Sequence, residues 1–289
     1  MVKEVAGFKY TTPEVILLQE TGIGVSEYAA RTCYDSFSKS TNEVVADMAN
    51  CQKGGLTQNT YDGIFRDDLN GIDECELLKD LSFTFFHHSI LEHINLSYLI
   101  KGTSRCVLQE HARHRIQAIS VRSTRYTMAS IIHAFIASLN SQSPIQFFLL
   151  KMKQFDMFVI DDNDYLNIEI EAMFKKLILQ RDRLGKEEFL KISIAKSSLE
   201  LFNGSYIDSH DLFEALEKGP KKRNVGDSFK HLVTDNIKVD MVVTFNLRSL
   251  KNYFYLRDAG SAYFQIRNLA KAMKEVTPSK YLELIIKSK

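Results

Sequence analysis

Residues 94–102, INLSYLIKG, alternate apolar Ile94, Leu96, Tyr98 and Ile100 with Asn95, Ser97 and Lys101. This period of two predicts a half-buried strand, because successive side chains of a strand point to opposite faces. KVDMVVTFN, 238–246, is short, β-branched and apolar, and predicts a buried strand. Elsewhere the spacing is helical. VSEYAARTCYD, 25–35, sets Tyr28, Ala29 and Cys33 at helical intervals behind Ser26, which is placed to cap the first turn. TSRCVLQEHARHR, 103–115, starts on good capping residues and runs without Gly or Pro, which predicts a helix that carries its basic residues into a following loop. LNIEIEAMFKKLILQRDRL, 166–184, is the strongest segment of a mostly helical stretch from Thr127 to Asn224, and EKGPKKR, 217–223, reads as a loop. LRSLKNYFYLR and SAYFQIRNLAKAMKEV predict two helices parted at Asp258–Gly260. Residues 36–72, rich in Ser, Thr, Asn, Asp and Gly, read as helices joined by loops. Strands mixed with helices predict an α/β (α+β) fold, a mixed central sheet flanked by helices.

Composition narrows the function classes. The formal net charge over 289 residues is +1, so no general field attracts nucleic acid or an anionic membrane, and any cationic site is local. The four cysteines form no CxxC pair and read as reduced thiols, the N-terminal residues lack the apolar run of a signal peptide, and no apolar segment approaches the roughly 20 residues of a spanning helix. A cytoplasmic protein with small-molecule partners and no membrane or nucleic-acid partner is expected.

Against that neutral background, RHRIQAISVRSTRY, 113–126, places Arg113, His114, Arg115, Arg122 and Arg125 within fourteen positions, with Ser120, Ser123 and Thr124 between them. Arginine presents a planar fork of permanent donors suited to phosphates and heterocycles, although the same spacing suits a solvated, salt-bridged face. HHSILEH holds His87, His88, Glu92 and His93. That spacing is not HExxH and no cysteine pair accompanies it, so polar contacts to a buried ligand compete with a metal site. NLRSLKNYFYLR holds Asn246, Arg248, Asn252 and Arg257. At 100° per residue Arg248 and Asn252 share a helix face, while Arg257 projects about opposite, so one straight helix aims the two arginines to different sides.

Taken in order, the three clusters resemble the flavin-dependent thymidylate synthases. That family's signature is RHR, seven residues, S, one residue, R; Arg113-His114-Arg115, IQAISVR and Ser123-Thr124-Arg125 fit it in full. His87, Ser89, Glu92 and His93 are similar to its upstream histidine and EH pair. Asn246, Arg248, Ser249, Leu250, Asn252, Leu256 and Arg257 are similar to its N-x-R-S-L-x-N followed by LR, and AARTCYD is a weaker fourth match. The resemblance implies reductive methylation of dUMP to dTMP, with methylenetetrahydrofolate as carbon donor and NADPH as reductant through FAD. It implies cofactor contacts at Arg113, His114, Arg115, Asn246, Leu247, Arg248 and Asn252, with Ser89, His87 and Glu92 beside them. For dUMP it implies Glu110, Arg113, Arg122, Ser123, Thr124, Arg125 and Lys230, with Arg257 as the catalytic residue against the pyrimidine. No metal is implied. A homotetramer with shared active sites is implied, in which Arg248 and Arg257 serve different sites.

Three departures stand out. Val121 occupies a loop position where the family carries an acid, Glu110 one where it carries glutamine, and Lys230 one where it carries arginine. The stretch between Thr127 and Lys230 is longer than the family's usual one, so a single domain over 1–289 with a helical insertion at about 130–223 is expected. Two alternatives remain: a catalytically impaired nucleotide- or RNA-binding homologue, and a metal hydrolase built on His87, His88 and His93.

Overall fold

The computed structural model describes residues 2–5, 7–53, 66–202, 206–222 and 224–287. Residues 54–65 of the loop-rich stretch, and Arg223 at the end of EKGPKKR, lie outside these. Among the described residues the strands are β1 (Val2–Val5), β2 (Phe8–Thr11), β3 (Glu14–Glu20), β4 (Asn95–Ser104), β5 (Ala118–Val121) and β6 (Lys238–Asn246). The two expected strands are β4 and β6, and they are the inner pair of a four-stranded sheet of order β3-β4-β6-β5. In β4 the alternation is realised: Leu96, Tyr98 and Ile100 are fully buried. The outer pairings are antiparallel. Val15 faces Ile100 and Leu17 faces Tyr98 across β3 and β4, while Ala118 faces Thr244 and Val121 faces Met241 across β5 and β6. The fold is the expected α/β (α+β) class.

The chain divides into two compact units. One takes Pro13–Thr103, Val107–Val121 and Asp240–Lys289, and contains the sheet core. The helices Gly24–Tyr34, Glu76–Phe83, Leu247–Arg257, Phe264–Val276 and Ser279–Ile285 belong to it. Its core joins Leu96, Tyr98 and Ile100 to Val243, Phe245, Leu250, Tyr253, Ile266 and Leu269. The other unit takes Met1–Thr12, Ser104–Cys106 and Arg122–Val239, so the stretch expected as an insertion, 130–223, falls within it. Its helices, among them Thr124–Ser138, Pro144–Gln154 and Asn163–Leu184, enclose a cluster of Phe135, Phe148, Phe174, Phe189 and Phe229. The rings meet edge-on or tilted at centroid separations of 5.3–6.2 Å, the offset geometry that aromatic quadrupoles favour.

Three local expectations need correction. Ser26 does not cap its helix: the helix begins at Gly24, and the buried Ser26 hydroxyl donates instead to the Ile90 carbonyl at 2.6 Å. The helix predicted over 103–115 is confined to Arg105–His111, because Thr103 and Ser104 complete β4. At its far end the His111 carbonyl accepts from the His114 N–H at 3.1 Å and from Gln117 Nε2 at 3.0 Å, bonds that close the helix. The stretch after RHR is not all loop, since 118–121 pairs as β5.

His111 is fully buried, with its ring against Phe245 and Tyr253 and Nδ1 3.1 Å from the Tyr253 hydroxyl. Burial, then the nearby His114, push its pKa down to about 4. The folded protein therefore keeps this ring neutral where the unfolded chain, near 6.5, takes up a proton. We expect stability to be complete above pH 6.5 and to fall as pH drops toward 4. The contribution of His111 is on the order of 3 kcal/mol, read as the change in urea-unfolding free energy that His111→Gln flattens.

In the other unit Gly226 lets two segments touch: a β-carbon there would lie 2.5 Å from Arg125 Cα. Gly226→Ala is expected to cost about 1–3 kcal/mol by overpacking, measured by equilibrium denaturation.

Candidate active site

The sheet-bearing unit carries a cleft of about 970 Å³. One wall is the start and outward face of the helix Leu247–Arg257. Asn246 caps this helix, its Oδ1 accepting from Ser249 N at 2.8 Å, and the Leu247 N–H donates to the Ile94 carbonyl at 2.8 Å. Leu247 is fully buried. The first turn is thereby anchored while Arg248 and Ser249 line the cleft. The positive end of the helix dipole, with an arginine beside it, favours an anion.

The opposite wall is the loop that follows the helix Arg105–His111. Arg113, His114 and Arg115 all line the cleft from it. His114 is fixed by Tyr253, whose ring lies 4.7 Å away at 64°, and by Arg257, whose Nε donates to His114 Nε2 at 2.9 Å. That ring nitrogen is an acceptor. Burial and the Arg257 charge push the His114 pKa down to about 4, so it is neutral at ordinary pH.

Arg257 also donates Nη1 to Glu110 Oε2 at 2.8 Å and Nη2 to the Glu110 carbonyl at 3.1 Å. Arg248 pairs with Glu92. The two arginines thus turn to different partners, as their angular separation requires, yet both border the same cleft. A single cleft bordered by both arginines is not what the straight-helix argument foresaw.

Of the histidine cluster, His88 and Glu92 line this cleft, and His87 and Ser89 line a smaller cavity of about 410 Å³ with Cys33, Tyr34 and Phe86. Among the described residues no group of three or more His, Cys, Asp or Glu side chains is placed to hold a metal ion. His88 Nε2 instead lies 3.0 Å from the Ser82 carbonyl and 3.2 Å from Lys251 Nζ. Lys251 is a cleft residue that the motif analysis missed. It donates to Ser82 Oγ at 2.9 Å, lies 4.5 Å from the centre of the Phe83 ring, and has its pKa lowered by burial. Its signal was the helical spacing, three residues from Arg248 on the same face.

The remaining predicted residues belong to the other unit. Ser123 caps the helix Thr124–Ser138, its hydroxyl accepting from Arg125 N at 3.3 Å. Arg125 Nε donates to Asp227 at 2.8 Å beside Gly226, and Lys230 is exposed in a short turn that follows. Val121, the last residue of β5 and part of the sheet-bearing unit, is partly buried against the sheet core.

Residues 16–280 match the thymidylate synthase complementing protein family, Thy1. A flavin-dependent thymidylate synthase of Campylobacter jejuni strain RM1221 is 29% identical over 268 residues, covering 93% of each chain. That of Wolinella succinogenes is 26% identical over 268 residues, covering 92% of this chain and 94% of its own. A crystal structure of thymidylate synthase X from Helicobacter pylori with FAD and dUMP is 25% identical with a TM-score of 0.56, and the match covers 95% of this chain and 97% of that one. With nearly its whole length matched, the chain belongs to the thymidylate synthase complementing protein family.

Proposed function

We propose that this protein is a flavin-dependent thymidylate synthase that methylates dUMP to dTMP, with methylenetetrahydrofolate as carbon donor and NADPH as reductant. The observation that carries this reading is one cleft of about 970 Å³ bordered by Arg113, His114, Arg115, Arg248 and Arg257 in a member of this family. The cleft suits FAD. Its arginines and the first turn of the helix Leu247–Arg257 match a pyrophosphate, and Ile116, Phe254 and Leu256 give apolar wall for a ring system. When bound, the flavin supplies the redox chemistry, and the protein supplies orientation and charge.

In this reading Arg113, His114, Arg115, Arg248 and Asn252 hold the cofactor, with Glu92 steering Arg248 and His87 and Ser89 serving from the adjoining cavity. Asn246 and Leu247 act by seating the helix. Arg122, Ser123, Thr124, Arg125 and Lys230 take the nucleotide phosphate, which needs fixed cations and short hydroxyl donors. Ser123 has a binding role in this reading, and its hydroxyl also caps the helix Thr124–Ser138. Arg257 and Glu110 meet a pyrimidine, and in the shared sites of a tetramer the base and the phosphate of one nucleotide are held by different subunits. A homotetramer with shared active sites belongs to this reading and rests on the resemblance to the family. No helix among the described residues is long and apolar enough to cross a membrane, which is compatible with a cytoplasmic enzyme.

The test is tritium release from [5-³H]dUMP with NADPH and methylenetetrahydrofolate. The wild-type protein should release tritium, and Arg257→Ala should lower the rate about 100-fold or more with unchanged far-ultraviolet circular dichroism. Absence of release from a flavin-loaded wild-type protein favours the impaired binding homologue, which the pairing of Arg257 with Glu110 makes a specific second reading. Arg115→Ala should lower FAD affinity about tenfold, followed by flavin fluorescence on titration, through loss of a charge-assisted contact.

A further inference from the structure

We infer that Lys251 is a further cofactor-binding residue: a fixed cation on the cleft wall that draws in the pyrophosphate of FAD without first surrendering a carboxylate. The inference rests on the functional reading above and adds a residue to it. Lys251 fills the second open position of N-x-R-S-L-x-N, where the motif prescribes no residue type, so its charge is a property of this chain and not of the signature.

Lys251 lies one turn beyond Arg248 on the helix Leu247–Arg257, and both line the cleft. Both also contact the turn His88–His93: Arg248 pairs with Glu92, and Lys251 Nζ stands 3.2 Å from His88 Nε2. The two cations therefore belong to the same end of the cleft. What holds Lys251 there is neutral. Its ammonium donates to Ser82 Oγ at 2.9 Å and to the Ser82 carbonyl at 3.2 Å, and it lies 4.5 Å from the centre of the Phe83 ring. Ser82 is fully buried, and its hydroxyl donates to the Leu284 carbonyl at 2.6 Å. With its one proton committed there, the Ser82 oxygen is left to accept from Lys251.

Among the described residues no carboxylate pairs with Lys251, and burial alone lowers its pKa. Loss of hydration with no opposite charge in return is the condition that an incoming anion relieves. Arg248, Arg257 and Lys274 differ, since each holds a carboxylate that an anion must displace. Arg113 and Arg115 differ in another way. They are exposed on the opposite wall, and a ligand that engages them must first order two long, mobile side chains. Lys251 is already half-buried and held by Ser82, so its charge reaches a ligand with little further loss of side-chain freedom. Its neutral partners stay where they are when the anion arrives.

The full chain, freed of flavin, is titrated with oxidised FAD in about 0.1 M and about 1 M sodium chloride, and binding is followed by flavin fluorescence. The ring system of oxidised FAD is uncharged at neutral pH, so the charge that Lys251 can attract lies on the pyrophosphate. Lys251→Gln keeps donors for Ser82 and loses the cation. It should raise the FAD dissociation constant about fivefold or more in low salt, and high salt should narrow the difference to about twofold or less. Lys251→Met, with an unbranched stem and no donor, carries the same expectation and replaces Lys251→Gln if that variant does not fold. Equal affinities of wild type and variant in low salt, with a wild type that binds FAD and releases tritium from dUMP, overturn this inference alone. A loss of the same size in low and high salt also overturns it, because it marks a structural role. Failure of the wild type to bind FAD removes the functional reading and this inference together.

Discussion

Tyr253 is fully buried between two histidines, and the geometry of the cleft depends on that placement. Its hydroxyl lies 3.1 Å from His111 Nδ1, and its ring packs on His111 and on His114 at 5.2 and 4.7 Å. One side chain therefore fastens the helix Leu247–Arg257 to the helix Arg105–His111 and to the arginine loop beyond it. Segments more than a hundred residues apart in the chain are brought within hydrogen-bonding range, and Arg257 reaches Glu110 and His114 as a consequence. Buried polar pairs of this kind hold orientation as well as stability, because a displaced ring leaves its partner without a hydrogen bond in an apolar surround.

Much of the sheet-bearing unit was legible in the sequence. Strand β6 occupies the same nine residues that the apolar run marked, and β4 differs from the marked segment by a residue or two at each end. Strand β5 was not legible: four residues at the edge of a sheet give too short a pattern to distinguish from a loop. Ser26 misled because serine is equally at home on a buried helix face when a carbonyl lies opposite, and only the tertiary structure supplies Ile90. The early end of the helix at His111 likewise depends on Gln117 and His114, whose bonds to its carbonyl no propensity encodes.

The site was legible as residue types and illegible as pairings. Motif order assembled Arg113–Arg115, Arg248 and Arg257, and the structure sets them around one cleft. Their counter-ions were invisible because sequence separations of 147 residues for Glu110 with Arg257 and 156 for Glu92 with Arg248 carry no periodic signal. Val121 was conspicuous as a missing acid. Its place on β5 opposite Met241, partly buried against the core, accommodates an apolar side chain in this chain.

These pairings bear on how a neutral chain can present a cationic cleft. Arg248 has Glu92, Arg257 has Glu110 and Lys274 has Asp258, so three of the cleft's cations arrive with a carboxylate already attached. An anionic ligand that engages one of these three cations exchanges partners and does not simply meet bare charge. Its gain is the difference between its own hydrogen bonds and those of the displaced carboxylate, which must be resolvated or find another donor. Attraction at long range is correspondingly weak, as a net charge of +1 already requires, and discrimination falls on the geometry of the exchange. A phosphate can out-compete an exposed carboxylate such as Glu92 through its additional acceptor oxygens and charge. Glu110 is more shielded and grips Arg257 at two points, so it is the carboxylate a ligand would displace least readily.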